Sequence, residues 1–167
     1  MGNLKSVVDL EGSTAVSKVI LDLLNEFPGL GPTDHISFSM LSEKSGIAFY
    51  PTSGSVFLEN REWINGHVKQ RCLYPFTVTY RAAPNTDEQR MRIKEFLDLM
   101  GQWLEGQPIV ISGQTYQLTE YPNLNSGNRT IKTVRATNAS HLQSAYQDGI
   151  EDWVMAFQLH YTNEYDK

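Results

Sequence analysis

The stretch Leu73–Pro108 reads LYPFTVTYRAAPNTDEQRMRIKEFLDLMGQWLEGQP. Its first part alternates: Tyr74, Phe76, Val78 and Tyr80 fall on one face of an extended chain, and Thr77, Thr79 and Arg81 on the other, because successive side chains of a strand point to opposite faces. After Pro84-Asn85-Thr86 the period lengthens. Ile93, Phe96, Leu97, Met100, Trp103 and Leu104 recur at steps of three and four and form one stripe of a helix. Thr86 and Gln89 have capping-box spacing, and Asp87 and Glu88 suit the positive end of the helix dipole. Gly106 and Pro108 stop the helix. So ordered a strand joined to so ordered a helix, with no reactive side chain where they meet, points to a structural role.

Upstream, the same strand extends back through Cys72 and Val68 on the apolar face, interrupted by Gln70, with Lys69 and Arg71 on the other. Pro75 has no amide donor, so the strand is an edge there or carries a bulge. Asn65-Gly66 is the strongest short hairpin signal in the chain. Val56–Leu58 is extended, and Ile36–Met40 and Ile47–Tyr50 read as hairpin partners across a turn at Ser42–Gly46. The first helix is marked by Val16, Val19, Ile20, Leu23, Leu24 and Phe27, with Ser13 or Thr14 as its cap and Pro28-Gly29 as its stop.

Downstream, Ile109–Ile111 and Tyr116–Leu118 flank Ser112-Gly113 as short strands. A polar turn covers 123–128, and Thr130–Thr137 is extended. Asn138–Gly149 reads as a surface loop with a helical turn at His141–Tyr146. The last strand carries Trp153, Met155, Phe157, Leu159 and Tyr161 on one wholly apolar face. The fold class this predicts is α+β: a mainly antiparallel β-sheet packed by two α-helices. No linker is long enough to divide the chain, so 1–167 reads as a single domain.

Composition narrows the function classes. The chain has 167 residues, 40% of them apolar and 20% charged, with a net charge of -5. An acidic balance opposes general phosphate-backbone binding. Stacking of single-stranded nucleic acid has no platform either: Tyr74, Phe76 and Tyr80 lie on one face of the strand and Arg71 and Arg81 on the other. The lone Cys72 allows no internal disulfide and reads as a core residue. His35, His67, His141 and His160 lack the local pairing usual in zinc sites, and no phosphate-binding loop or nucleophile elbow is present, so no cofactor is expected. The N-terminal stretch lacks the basic start and apolar block of a signal peptide, and no run reaches membrane-spanning length.

What remains is contact between subunits. Trp63, Asn65 and His67 sit at the projecting hairpin, Pro75 marks a strand edge, and the 138–149 segment, with His141 and Tyr146, is placed to reach a neighbour. Lys69 and Arg71 either meet acids on that neighbour or keep the edge soluble.

The stretch "YPFTVTYRAAPNTDEQRMRIKEFLDLMGQWLEG" resembles the small tail-terminator proteins of long-tailed bacteriophages of Gram-positive hosts, also labelled minor capsid or tail-completion proteins. Tyr80-Arg81 before the turn, the acidic cap at Thr86–Gln89, Trp103-Leu104 at the helix end and the closing "VMAFQLHYTNEYDK" match the family layout, as does the opening helix in "STAVSKVILDLLNEFPG". The resemblance implies a ring of six copies that caps the tail tube and offers its other face to the neck or head-completion protein, with DNA passing through. In a contractile tail the last sheath layer would be a further partner. The virion tail–neck junction, assembled in the host cytoplasm, is the location it implies. Two other readings stay open on the sequence: another neck or head-completion protein of the virion, and a small-molecule-binding α+β domain.

Overall fold

The computed structural model describes residues 8–124 and 128–167. In chain order the elements are α1 (Leu10–Asn25), β1 (Ile36–Phe38), β2 (Gly46–Pro51), β3 (Val56–Glu62), β4 (His67–Ala82), α2 (Asp87–Leu104), β5 (Ile109–Ile111), β6 (Gln114–Tyr116), β7 (Arg129–Ala136), β8 (His141–Ala145) and β9 (Glu151–Asp166). The sheet is mostly antiparallel and the fold is α+β, as the alternation and the two stripes imply.

The centre of the sheet is an antiparallel ladder of β4 and β9, each 16 residues long, paired without a break from His67↔Asp166 to Ala82↔Glu151. At ~3.4 Å per residue such a ribbon runs about 50 Å. Two shorter strands tile each flank. Beside β4, β2 pairs with Phe76–Arg81 and β3 with Val68–Leu73. Beside β9, β8 pairs with Glu151–Val154 and β7 with Phe157–Asn163. Pro75 falls at the seam between β2 and β3. Its carbonyl accepts from the Thr52 amide across that seam (3.0 Å), and its missing N–H points the same way. The expectation of an edge or a bulge is thus corrected: β4 is a central strand, unbulged against β9, and only the seam gives proline the local edge it needs.

Both helices lie on one face. Ser17 of α1 hydrogen-bonds the Tyr74 hydroxyl (2.7 Å), and Gly101 of α2 lies against Met155 and Ala136. Tyr74, Phe76 and Val78 of β4 and Met155, Phe157, Leu159 and Tyr161 of β9 are buried beneath them. The Phe76 and Phe157 rings stack at the middle of the ladder, centroids 5.1 Å apart. Phe27 joins the helices by packing on Phe96 and Trp103. Residues of this size gain ~1.5–3 kcal/mol each on full burial, which chiefly offsets the cost of ordering the chain. Among the described residues no helix covers the second face, which carries Leu73, Pro75, Thr77, Gln158 and His160 between charged ends.

Thr86 caps α2 as expected, its Oγ1 accepting from the Gln89 amide (3.2 Å), but Gln89 Oε1 reaches back one residue further than a capping box requires, accepting from the Asn85 amide (2.7 Å). Three other expectations are corrected. The first helix starts earlier than Ser13, because Asp9 caps it by accepting from the Gly12 amide (3.1 Å). β1 and β2 are parallel neighbours rather than a hairpin. The helical turn expected at His141–Tyr146 is a strand, β8, which a bulge between Leu142 and Ser144 and a return turn hold against β9. The Asn65-Gly66 hairpin joins β3 to β4 as expected, with Gly66 at φ +86. The polar turn expected at 123–128 lies in part outside the described residues, as do residues 1–7 of the N-terminal stretch.

Candidate functional site

The β3–β4 turn and the end of β9 make one projecting tip. The Trp63 amide donates to the His67 carbonyl (2.8 Å), and Asn65 Oδ1 accepts from the His67 amide (3.1 Å), which closes the turn. The Trp63 and His67 rings lie 5.2 Å apart. His67 Nδ1 pairs with Asp166 Oδ1 (2.9 Å). The last residue is tied in as well: its amide donates to the Gly66 carbonyl (2.9 Å), and Lys167 Nζ donates to Glu62 (2.9 Å). On this frame Ile64 is fully exposed and Trp63 is 44% exposed; Leu58, 46% exposed, lies back along β3 at its bulge. A rigid tip that keeps large apolar side chains in water is the kind of feature that marks a contact surface.

Lys69 and Arg71 stand next along the uncovered sheet face. They find acids within the chain: Lys69 lies 3.6 Å from Glu164 and Arg71 3.3 Å from Glu59, both in exposed pairs. Such pairs are worth ~0–1 kcal/mol, so neither cation is committed to the fold. Further along the same face His160 is held below its usual pKa, first by burial and then by the charges of Arg71 and Arg135.

His141 and Tyr146 lie at the opposite end of the ribbon, because β8 pairs with the start of β9. His141 is exposed on β8. Tyr146 donates to Asp152 Oδ2 (3.0 Å) and lies under the Arg81 guanidinium at 5.7 Å. Arg81 in turn grips Asp152 through two bonds of 2.7 and 2.9 Å and donates to the Ser42 carbonyl (3.2 Å). Hydrogen bonding from Arg81 holds the Asp152 carboxyl below its ordinary range, and Arg90 does the same for Glu151 on the covered face. The eight residues singled out from sequence therefore divide. Trp63, Asn65, His67, Lys69 and Arg71 gather at one end, Pro75 sits mid-ribbon, and His141 and Tyr146 belong to the other end.

A third polar group escaped the sequence reading. Asp9, 4% exposed, receives Arg129 through Nε (3.0 Å) and Nη2 (2.8 Å) and the Tyr161 hydroxyl (2.6 Å) while capping α1. Burial alone would raise the Asp9 pKa; the bonds from Arg129, Tyr161 and the Gly12 amide outweigh it and hold the carboxyl low. Tyr161 is pushed well above the usual phenol range by burial and by the carboxylate it serves. Cys72, beneath the same cluster, is buried and pushed up to about 11, chiefly by burial. No local pattern could reveal this cluster, since its members are 120 and 152 residues apart.

Among the described residues no group of three or more His, Cys, Asp or Glu side chains is placed to hold a metal ion, and no helix is long and apolar enough to cross a membrane. The hollow beside Arg81, lined by Glu43, Tyr146, Gln147, Asp148 and Ile150, is open to solvent. No protein-family model and no curated protein matches the chain.

Proposed function

We propose that this chain is a structural virion protein that closes a bacteriophage tail tube as a ring of copies, six by the resemblance, and joins it to the neck. The reading keeps the tail tube protein and a neck or head-completion protein as partners, with a sheath protein added in a contractile tail, and DNA passing through without specific binding. One observation carries the assembly part of the proposal: the long β4–β9 ribbon ends in a braced tip that presents Ile64 and Trp63 to solvent. Its turn and its final residue are fixed by hydrogen bonds, so little ordering remains to be done on binding. The phage part rests on the sequence resemblance, whose matched segments are here β4, α2 and β9, three elements in mutual contact.

The experiment is native mass spectrometry of the full chain, alone and with tail tube protein, followed by electron microscopy of the mixture. The proposal expects a closed ring, in solution or on the tube end. A chain that stays monomeric at every concentration and leaves tube ends bare would refute it.

A further inference from the structure

Sheet edges are where copies of a chain most readily stick together, because an outer strand shows a row of unpaired N–H and C=O groups. In this protein two of the outer strands are partly closed by side chains. On β1 the Ser39 amide donates to the Phe49 carbonyl of β2 (2.9 Å), so the backbone groups of Ser37 and Ser39 point toward β2 and those of Ile36 and Phe38 point away from it. Asn25, the last residue of α1, meets Ile36 on that outer side. Its Oδ1 accepts from the Ile36 amide (2.8 Å), and its Nδ2 donates to the Ile36 carbonyl (3.0 Å) and to Leu21 (2.9 Å). One side-chain amide thus supplies the acceptor and the donor that a neighbouring strand would have offered.

On β7 the same thing happens at the end of α2. The Val134 and Ala136 amides, two residues apart, point to the same side of the strand, away from β9. The Val134 amide donates to the Tyr121 hydroxyl (3.2 Å), and the Ala136 amide to Glu105 Oε1 (2.8 Å). Tyr121 is fixed by donating to the Leu104 carbonyl (2.7 Å), and Glu105 is the residue that caps α2. A carboxylate at this position also opposes the carbonyls of an incoming strand.

We infer that Asn25 on one flank, and Glu105 with Tyr121 on the other, are edge guards that stop a second copy of this chain from extending the sheet through β1 or β7. The remaining flanks are blunted by other means: β3 by a bulge after Phe57, its bridge to Val8 and the charges of Glu59, Arg61 and Glu62, and β8 by its five-residue length and its own bulge. Copies that associate therefore do so through surfaces other than these backbone edges. The inference stands whether or not the chain forms a tail ring.

The test compares the full chain with Glu105→Ala, Glu105→Gln and Asn25→Ala by sedimentation velocity over a wide concentration range, together with amide hydrogen exchange. Glu105→Ala is expected to speed exchange at Ala136 in dilute solution and to tighten self-association by about tenfold, equivalent to ~1.4 kcal/mol. Glu105→Gln keeps the acceptor oxygen and is expected to behave like the parent. Asn25→Ala is expected to do at Ile36 what Glu105→Ala does at Ala136. Glu105 is only half-buried, at a helix end, so its variant reads the edge even where Asn25→Ala disturbs the fold. A folded Glu105→Ala chain whose association matches the parent's at all concentrations overturns the inference, as does equal association by the Gln and Ala variants.

Discussion

Asp9→Asn isolates the contact that fastens the start of α1 to the end of the sheet. Asparagine caps helices as well as aspartate does, so the bond from the Gly12 amide survives and the helix still starts where it should. What is lost is the charge opposite Arg129, whose side chain is only 10% exposed, and one of the two oxygens that receive Arg129 and Tyr161. Breaking a buried ion pair from one side costs ~3–5 kcal/mol when the remaining charge is left uncompensated; here Arg129 keeps Glu11 at 4.0 Å, which softens the loss. The retained oxygen still accepts one bond, so the lower end, about 3 kcal/mol, is the expected loss. That is a large share of the ~5–15 kcal/mol by which domains are stable. Urea unfolding followed by tryptophan fluorescence reads it as a lower midpoint at unchanged slope. The pH dependence gives an independent check. The folded Asp9 carboxyl lies below its ordinary value of 3.8, so the unfolded chain takes up the proton first as pH falls. The stabilisation is therefore complete above that ordinary value and is lost as pH drops through the folded-state value. At low pH the parent's Asp9 is neutral, as Asn is at any pH, and the gap between parent and variant must close. A loss under about 1 kcal/mol at neutral pH, or a gap that stays constant into acid, would refute the reasoning.

Other expectations are simpler. Cys72 is buried with its thiol pushed up to about 11, so a disulfide reagent at mildly alkaline pH should leave it unmodified in the native chain and label it once urea unfolds the protein; prompt native labelling would remove it from the core. Trp63→Ala should change stability by about 1 kcal/mol or less, since Trp63 is 44% exposed at the tip, while weakening the proposed ring or tube contact; an unfolded variant would make it a core residue. Gly66→Ala places a Cβ at φ +86, 3.4 Å from the Lys167 carbonyl oxygen, and should cost about 1 kcal/mol with faster amide exchange at Lys167; an unchanged midpoint and exchange rate would show that the tip is not held by this turn.

How much could be read from the sequence follows from what each element depends on. α2, β4 and β9 are settled locally: a cap, a stop and an unbroken period leave little choice, and Gln70, the one misfit on the apolar face of β4, is answered by Asn163, which donates to it (2.9 Å). The start of α1 was hidden because its cap has a second task. Asp9 faces Arg129 and Tyr161 as well as the helix, and Gly12 follows because a Cβ there would lie within 2.5 Å of the Tyr161 hydroxyl, so a glycine stands inside a first turn where a sequence reader expects a break. β1 and β2 show the same limit from another side. Alternation fixes which residues share a face, and Ile36, Ile47 and Phe49 are indeed buried, but strand direction is set by what the outer strand must satisfy. Parallel pairing puts Ile36 where Asn25 can take both of its backbone groups. β8 had no apolar alternation to reveal it, because four of its five residues are exposed.

The same limit applies to the contact residues. The hairpin tip is legible because Asn65-Gly66 is a local signal, yet its most exposed side chain, Ile64, belongs to no period inside a turn. Pro75 reads from sequence as an edge marker, and the seam between β2 and β3 explains it without any neighbour. If open edges had been the means of assembly, selection would have had no reason to place Asn25, Glu105 and Tyr121 against outward-facing backbone groups. Partly closed edges beside a braced tip favour association by side-chain contact at the ribbon's end. Such contacts specify angle as well as partner, whereas strand addition fixes little beyond a ladder that any exposed strand can join. A ring needs one repeated angle in order to close, so guarded edges suit the proposed ring better than open ones would.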